Sequence, residues 1–296
     1  MTSILASYHP LAAAMKAIQE KLDLNAANWT AANAQQALFL KRLPRLVSEA
    51  EYIAGIKTGI GRDAATINKW LSKHDFTVTF KEFGPSELGL ASILDHSCTF
   101  IRHGIATTIV GPENRLYDAV RLTSGLSFTR AAGHPFPIVQ IQGLYDSWTV
   151  ITQFHEELHG STLIDRASLI LGARQPASKE HTSLVLPMID VSIQADVRWM
   201  HGLSIGGYVL KQAMQEDMLR LNQYGGNRTS IARDSEPLTA AQMQRQLVFD
   251  DQFLLIAGSG CGPDESRFLV AVIDCEAWSN PGNFNTLISA SYRDPE

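Results

Sequence analysis

The sequence predicts an α+β fold, with N-terminal helices packed on mostly antiparallel β-sheets. Two observations carry this. Apolar residues recur at three- and four-residue spacing as far as Lys73, and beyond Lys73 the period falls to two. A third supports it: no Gly-x-Gly-x-x-Gly follows a strand, and helices and strands do not alternate as a doubly wound parallel sheet requires.

In the helical part, Leu11, Met15, Ile18 and Leu22 form one stripe behind Pro10. Leu38, Leu40, Leu43, Leu46 and Ile53 keep a stripe going across Pro44. Asp63 is a good N-cap for Ala64 to Lys73, with Ile67, Trp70 and Leu71 turned inward. Residues 1–73 thus read as roughly four helices.

Residues 74–296 read as mostly β. Phe76 to Phe80 alternates cleanly, and Ile105 to Val110, Ile138 to Gln142 and Trp148 to Ile151 are β-branched runs. Gly143 to Ser147 makes the last two a hairpin. Leu163 to Leu171 reads as a short helix, Ala173 to His181 as a polar loop, and Leu184 to Ile193 as a strand with Pro187 at an edge or bulge. Phe253 to Ala257 and Phe268 to Ile273 are nearly continuous apolar runs, hence strands covered on both faces, joined by a Gly-rich loop from Gly258 to Ser266. No repeat or linker divides the chain, so residues 1–296 read as one domain.

Composition excludes whole classes of function. The chain has 296 residues, 45% hydrophobic and 19% charged, which suits a globular protein. Lys plus Arg (25) less Asp plus Glu (30) gives −5, so no broad basic field draws it to nucleic acid or anionic lipid. No apolar run approaches the roughly 18 residues of a membrane span. The stretch from Met1 to Pro10 lacks a basic n-region, which points to the cytoplasm. Cys98, Cys261 and Cys275 form no Cys-x-x-Cys pair and read as reduced thiols, with Cys275 in a buried strand. Cys98, near His96 and His103, reads as a half-buried thiol beside solvated histidines with nothing to depress its pKa.

His155-Glu-Glu-Leu-His159 matches a zinc motif. On a helix, His155 and His159 would share a face and hold one zinc, with Glu156 as general base. The context opposes it: Trp148 to Phe154 reads as a strand, Gly160 would end a helix, and Asp165 and Glu180 are poor third ligands.

From Pro137 onward the order of segments resembles the C-terminal half of a serpin. The residues that carry this are Ile138-Val-Gln-Ile-Gln-Gly143, Trp148 to Ile151, Leu184-Val-Leu-Pro-Met-Ile-Asp-Val-Ser-Ile193, Asp196-Val197 and Gly202-Leu-Ser-Ile205. Arg220-Leu-Asn-Gln-Tyr-Gly-Gly226, a polar stretch, Gln252 to Ile256 and Phe268 to Ile273 then follow in order. The resemblance implies a strand from Tyr208 to Leu221, although Val209, Leu210, Ala213, Met214, Met218 and Leu221 fit a helix. It also implies a reactive-loop-like segment over 225–247, with Gly225, Gly226, Asn227, Arg228, Thr229 and Arg233 in its hinge. The counterpart of the scissile bond falls near Leu238, Thr239 and Ala240.

In an inhibitory serpin alternate hinge residues enter a packed interior and are small. Gly226, Ser230 and Ala232 fit that pattern. Arg228 does not, because burying an unpaired guanidinium costs several kcal/mol. The segment ahead of Pro137 is also shorter than in a full serpin, and a reduced sheet could leave an edge that captures an extended peptide. These residues therefore predict a non-inhibitory, serpin-like protein that binds a peptide-like ligand or partner protein, without cofactor. A serine protease inhibitor and a zinc-dependent hydrolase are the alternatives.

Overall fold

A computed structural model describes residues 4–74, 76, 78–98, 100–144, 146–158, 160–176, 180–221, 245–260 and 266–279. The helices are α1 (His9–Leu22), α2 (Ala34–Ala50), α3 (Ala64–Lys73) and α4 (Gly160–Gly172). The strands begin with β1 (Ile4–Ala6), β2 (Trp29–Thr30), β3 (Ile56–Gly61), β4 (Glu87–Ser97), β5 (Ile105–Val110) and β6 (Leu116–Leu122). They continue with β7 (Leu126–Ala131), β8 (His134–Gln142), β9 (Ser147–Gln153), β10 (Arg174–Pro176), β11 (Ser183–Pro187) and β12 (Ile189–Ala195). The last are β13 (Ser204–Ile205), β14 (Tyr208–Leu221), β15 (Gln246–Val248), β16 (Phe253–Ser259) and β17 (Ser266–Ile273). The chain groups into two compact units, one from Met1–Ala6, Ser97–Val191 and Leu219–Glu296, the other from Ser7–His96 and Ser192–Met218.

In the second unit, α1 starts with Pro10 in its first turn, where the missing N–H costs nothing. It buries Leu11, Met15 and Ile18 and ends at Asp23, whose left-handed φ of 54° lets its N–H reach back to Gln19 and Glu20. Asn33 caps α2 by accepting from the Gln36 N–H. Pro44 sits inside α2 and forgoes one helical bond. The helix continues because Phe39, Leu43 and Leu46 are buried against a core shared with α1, Leu88, Leu90, Leu203 and Leu210. Leu38, expected in that stripe, is exposed. The Asp63 cap on α3 forms as expected, and Ile67 and Leu71 are buried. Trp70 is only partly buried, lying over β3, where a Cβ on Gly59 would stand 2.3 Å from the indole.

Three helices, not four, precede Lys73, because the β-branched and glycine-bearing run Ile56-Lys-Thr-Gly-Ile-Gly61 is strand β3. The order in this sheet is β2-β13-β14-β4-β3, with β12 also on β14. β14 is a strand despite its helix-forming residues, as the resemblance implied. The alternating Phe76 to Phe80 is a second correction: the described residues there form no strand. The carboxamide of Asn68 instead donates to the Phe80 carbonyl (2.9 Å) and accepts from its N–H (2.6 Å). Gln212 treats Lys81 the same way at 3.1 Å. Two side chains thus replace the neighbouring strands.

In the first unit, one sheet has the order β1-β17-β16-β9-β8-β7-β10 and another β15-β11-β6-β5. β8 and β9 form the expected hairpin, and β16 is buried over Phe253 to Gly258. α4 lays Leu163, Ala167 and Ile170 on Ile138, Val150, Leu254 and Ile256. The run from Leu184 to Ile193 is two strands. Pro187 ends β11, and the Met188 N–H turns to the Asp118 carbonyl. Cys275 lies in a one-turn helix, not a strand, and is partly exposed.

Asn68→Ala is expected to lower stability by about 1–3 kcal/mol in urea titration, because Phe80 is buried and water cannot replace the lost partner. Gln212→Ala should cost less than about 1 kcal/mol, since Lys81 is exposed.

Candidate functional site

Three sets of predicted residues meet different fates. The loop-like segment is bracketed by β14, which leads in, and β15, which leads out and pairs parallel with β11. Gly225, Gly226, Asn227, Arg228, Thr229, Arg233, Leu238, Thr239 and Ala240 lie outside the described residues.

The zinc motif is not laid on a helix. His155 to Leu158 follow β9 without regular structure, and α4 begins at Gly160, the residue expected to end a helix. His159 lies outside the described residues. His155 stands half exposed, 4.0 Å from the Asp251 carboxylate and edge-on to Phe136. Glu156 is engaged by the Arg166 guanidinium at 2.6 Å. Among the described residues no group of three or more His, Cys, Asp or Glu is placed to hold a metal ion.

Cys98 is fully buried, not half-buried, and burial pushes its thiol up to about 12 against the opposing pull of a hydrogen bond with Thr149. Burial also holds His96 down to about 4, so it is not the solvated histidine expected. A thiol kept protonated in this way is not a nucleophile at neutral pH.

Sequence reasoning missed two features of the second unit. The first is an open sheet edge. The Asp95 N–H donates to the Gly55 carbonyl, which fixes the phase of the β3–β4 ladder. By antiparallel alternation Lys57, Gly59 and Gly61 turn their main-chain groups to β4, while Ile56, Thr58 and Ile60 turn theirs away. β3 ends the sheet, and among the described residues those outward groups have no partner. The signal was local: a β-branched run with two glycines, overlooked inside a helical segment.

The second is a buried acid. Asp217 is inaccessible, and its Oδ2 accepts from the Gln215 Nε2 at 2.6 Å. Gln215 also donates to the Ser7 carbonyl, just ahead of α1. The Asp217 Oδ1, Gln215 Oε1 and Ser92 Oγ are buried without a partner among the described residues. Burial raises the Asp217 carboxyl from 3.8 to about 7, with Glu216 adding to the rise and the Gln215 bond opposing it.

In sequence the chain matches no protein-family model and no curated protein. In structure it is similar to serpins. Native protease nexin-1 crystallised with heparin aligns with a TM-score of 0.56 at 11% identity, covering 92% of each chain. The mouse protein-Z dependent protease inhibitor aligns at 0.53 and 12% identity, covering 92% of this chain and 91% of that one. The protein therefore has a serpin-like α+β fold, and the likeness reaches well ahead of Pro137. No helix among the described residues is long and apolar enough to cross a membrane.

A carboxyl whose folded pKa is raised contributes stability that is fully present below about 3.8 and lost as pH rises through about 7. Asp217→Asn should therefore melt with the wild type near pH 4 and progressively above it through pH 7, gaining roughly 1–3 kcal/mol at pH 8. Thermal melts across that range check it.

Proposed function

We propose that this serpin-like chain is a non-inhibitory binding protein that takes an extended, peptide-like segment of a partner on the outer edge of β3. The observation that carries this is the row of unpaired main-chain groups on Ile56, Thr58 and Ile60. A strand laid there adds main-chain hydrogen bonds without breaking any existing pair. Arg228 supports the non-inhibitory half of the reading, since a hinge carrying a guanidinium is poorly suited to entering a packed sheet. The unbridged Cys98 and Cys275 suit a reducing compartment such as the cytoplasm.

Thr58→Pro tests the site, because it removes one outward donor and no bond to β4. A fluorescein-labelled Val-Thr-Val-Thr-Val peptide with Glu at its ends should raise fluorescence polarisation on the wild type. The variant should bind about tenfold more weakly, a loss of about 1.4 kcal/mol. Equal binding by both would overturn the edge. A covalent, detergent-stable complex with a serine protease would overturn the non-inhibitory reading and place the chain with inhibitors, as one structural neighbour is named.

A further inference from the structure

One strand edge of the first unit is left bare. β5 ends its sheet, and just beyond it the Gly111 N–H donates to the Arg115 carbonyl at 2.9 Å. Antiparallel alternation then turns the main-chain groups of Ile105, Thr107 and Ile109 to β6 and those of Ala106, Thr108 and Val110 away from it. Among the described residues these outward groups have no partner. Edge strands are ordinarily guarded by a charge, a proline or a bulge. Ile105-Ala-Thr-Thr-Ile-Val110 has no charge and no proline, and its register with β6 is unbroken.

This strand fits a copy of itself. Laid antiparallel about Thr108, two copies of β5 put Thr108 against Thr108 and Ala106 against Val110, and each such pair exchanges two main-chain hydrogen bonds. The side chains agree with that register. Val110 and Leu116 are a cross-strand pair on one face, 55% and 53% exposed, and Ala106 is paired with the buried Val120 on the same face. Joining the two edges sets these pairs end to end, in an apolar row of Leu116 and Val110 from one copy and Ala106 and Val120 from the other. Asp118, beside Thr108, is the only charge on that face of β5 and β6. It would lie three strand spacings, about 14 Å, from its mate, beyond the screening length of about 8 Å.

The ends of the strand carry opposite charges. The same register, carried past β5, brings Arg102 and His103 of one copy to Glu113 of the other, and symmetry repeats this at the far end. Arg102 is exposed and has no ion pair among the described residues. Glu113 touches Arg115 at 3.0 Å but is 72% exposed, and a carboxylate accepts several hydrogen bonds at once.

We infer that the bare edge of β5 is a self-association surface, where a second copy of this chain pairs strand to strand about a two-fold axis at Thr108. The operation closes on itself, so assembly stops at the dimer. A foreign peptide would gain the main-chain bonds but neither the apolar rows nor the paired ends. The contact is at the small end of specific interfaces, so the dimer is weak and concentration-dependent.

Sedimentation velocity of the full chain from about 1 to 200 μM tests this, with a reversible monomer–dimer equilibrium expected at a Kd of roughly 10–100 μM. Thr108→Pro removes an outward N–H and no bond to β6, and Val110→Lys sets a charge in the apolar row. Each should weaken the dimer at least about tenfold, and Val110→Lys, at an exposed position, should leave the melting temperature of dilute protein within about 2 °C of the wild type. Glu113→Arg should weaken it about three- to tenfold, and adding Arg102→Glu to the same chain should restore it, because the two charges meet between copies. A monomer throughout the range, a dimer unaffected by Val110→Lys, an open-ended assembly, or no rescue by the charge swap overturns the proposal.

Discussion

The second unit depends on β14 lying as a strand beside β4. The Val209 N–H donates to the Ser86 carbonyl and the Cys98 N–H to the Arg220 carbonyl, so the two strands run in the same direction. β14 is also the strand on which β12 and β13 pair. Without it, two strands on one side and β4 on the other would expose ladders of main-chain groups in a buried setting, which no protein interior tolerates. That demand outweighs the intrinsic preference of Lys, Gln, Met and Glu for a helix, a preference of only a few tenths of a kcal/mol per residue.

The same competition explains what could be read in the sequence. Caps and apolar runs are local signals, and they placed α1, α3, α4, β16, β17 and the β8–β9 hairpin correctly. Periodicity alone failed where pairing decides. Phe76 to Phe80 alternates as a strand should, yet two carboxamides distant in sequence satisfy its neighbours' main chain. Leu184 to Ile193 looked continuous because nothing in its composition shows that Met188 donates across to Asp118. β14 itself was legible only through the order of segments, not through its own residues.

The sites were less legible than the fold, for a physical reason. An open edge is defined by which partner a strand lacks, so Ile56, Thr58 and Ile60 carry no signature of their own. Thr108 and Val110 did stand in the β-branched run from Ile105 to Val110, but only the register shows that their main-chain groups face away from β6. The zinc motif shows the converse, a sequence pattern whose helix begins only after the motif has ended.

The clamps at Asn68 and Gln212 carry one more consequence. A strand zipped between two others can leave only by unpairing its ladder, whereas the segment around Phe80 and Lys81 is held by two side-chain clamps and by the burial of the Phe80 ring beside Ile67, Leu71 and Met214. Its opening costs those bonds and the Phe80 contact but no ladder pair, so amide protons there should exchange through local opening while those of β4 and β14 wait for global unfolding. The segment is thus fastened to the sheet by side chains, two amides and one buried ring, where a strand would be fastened by its own main chain.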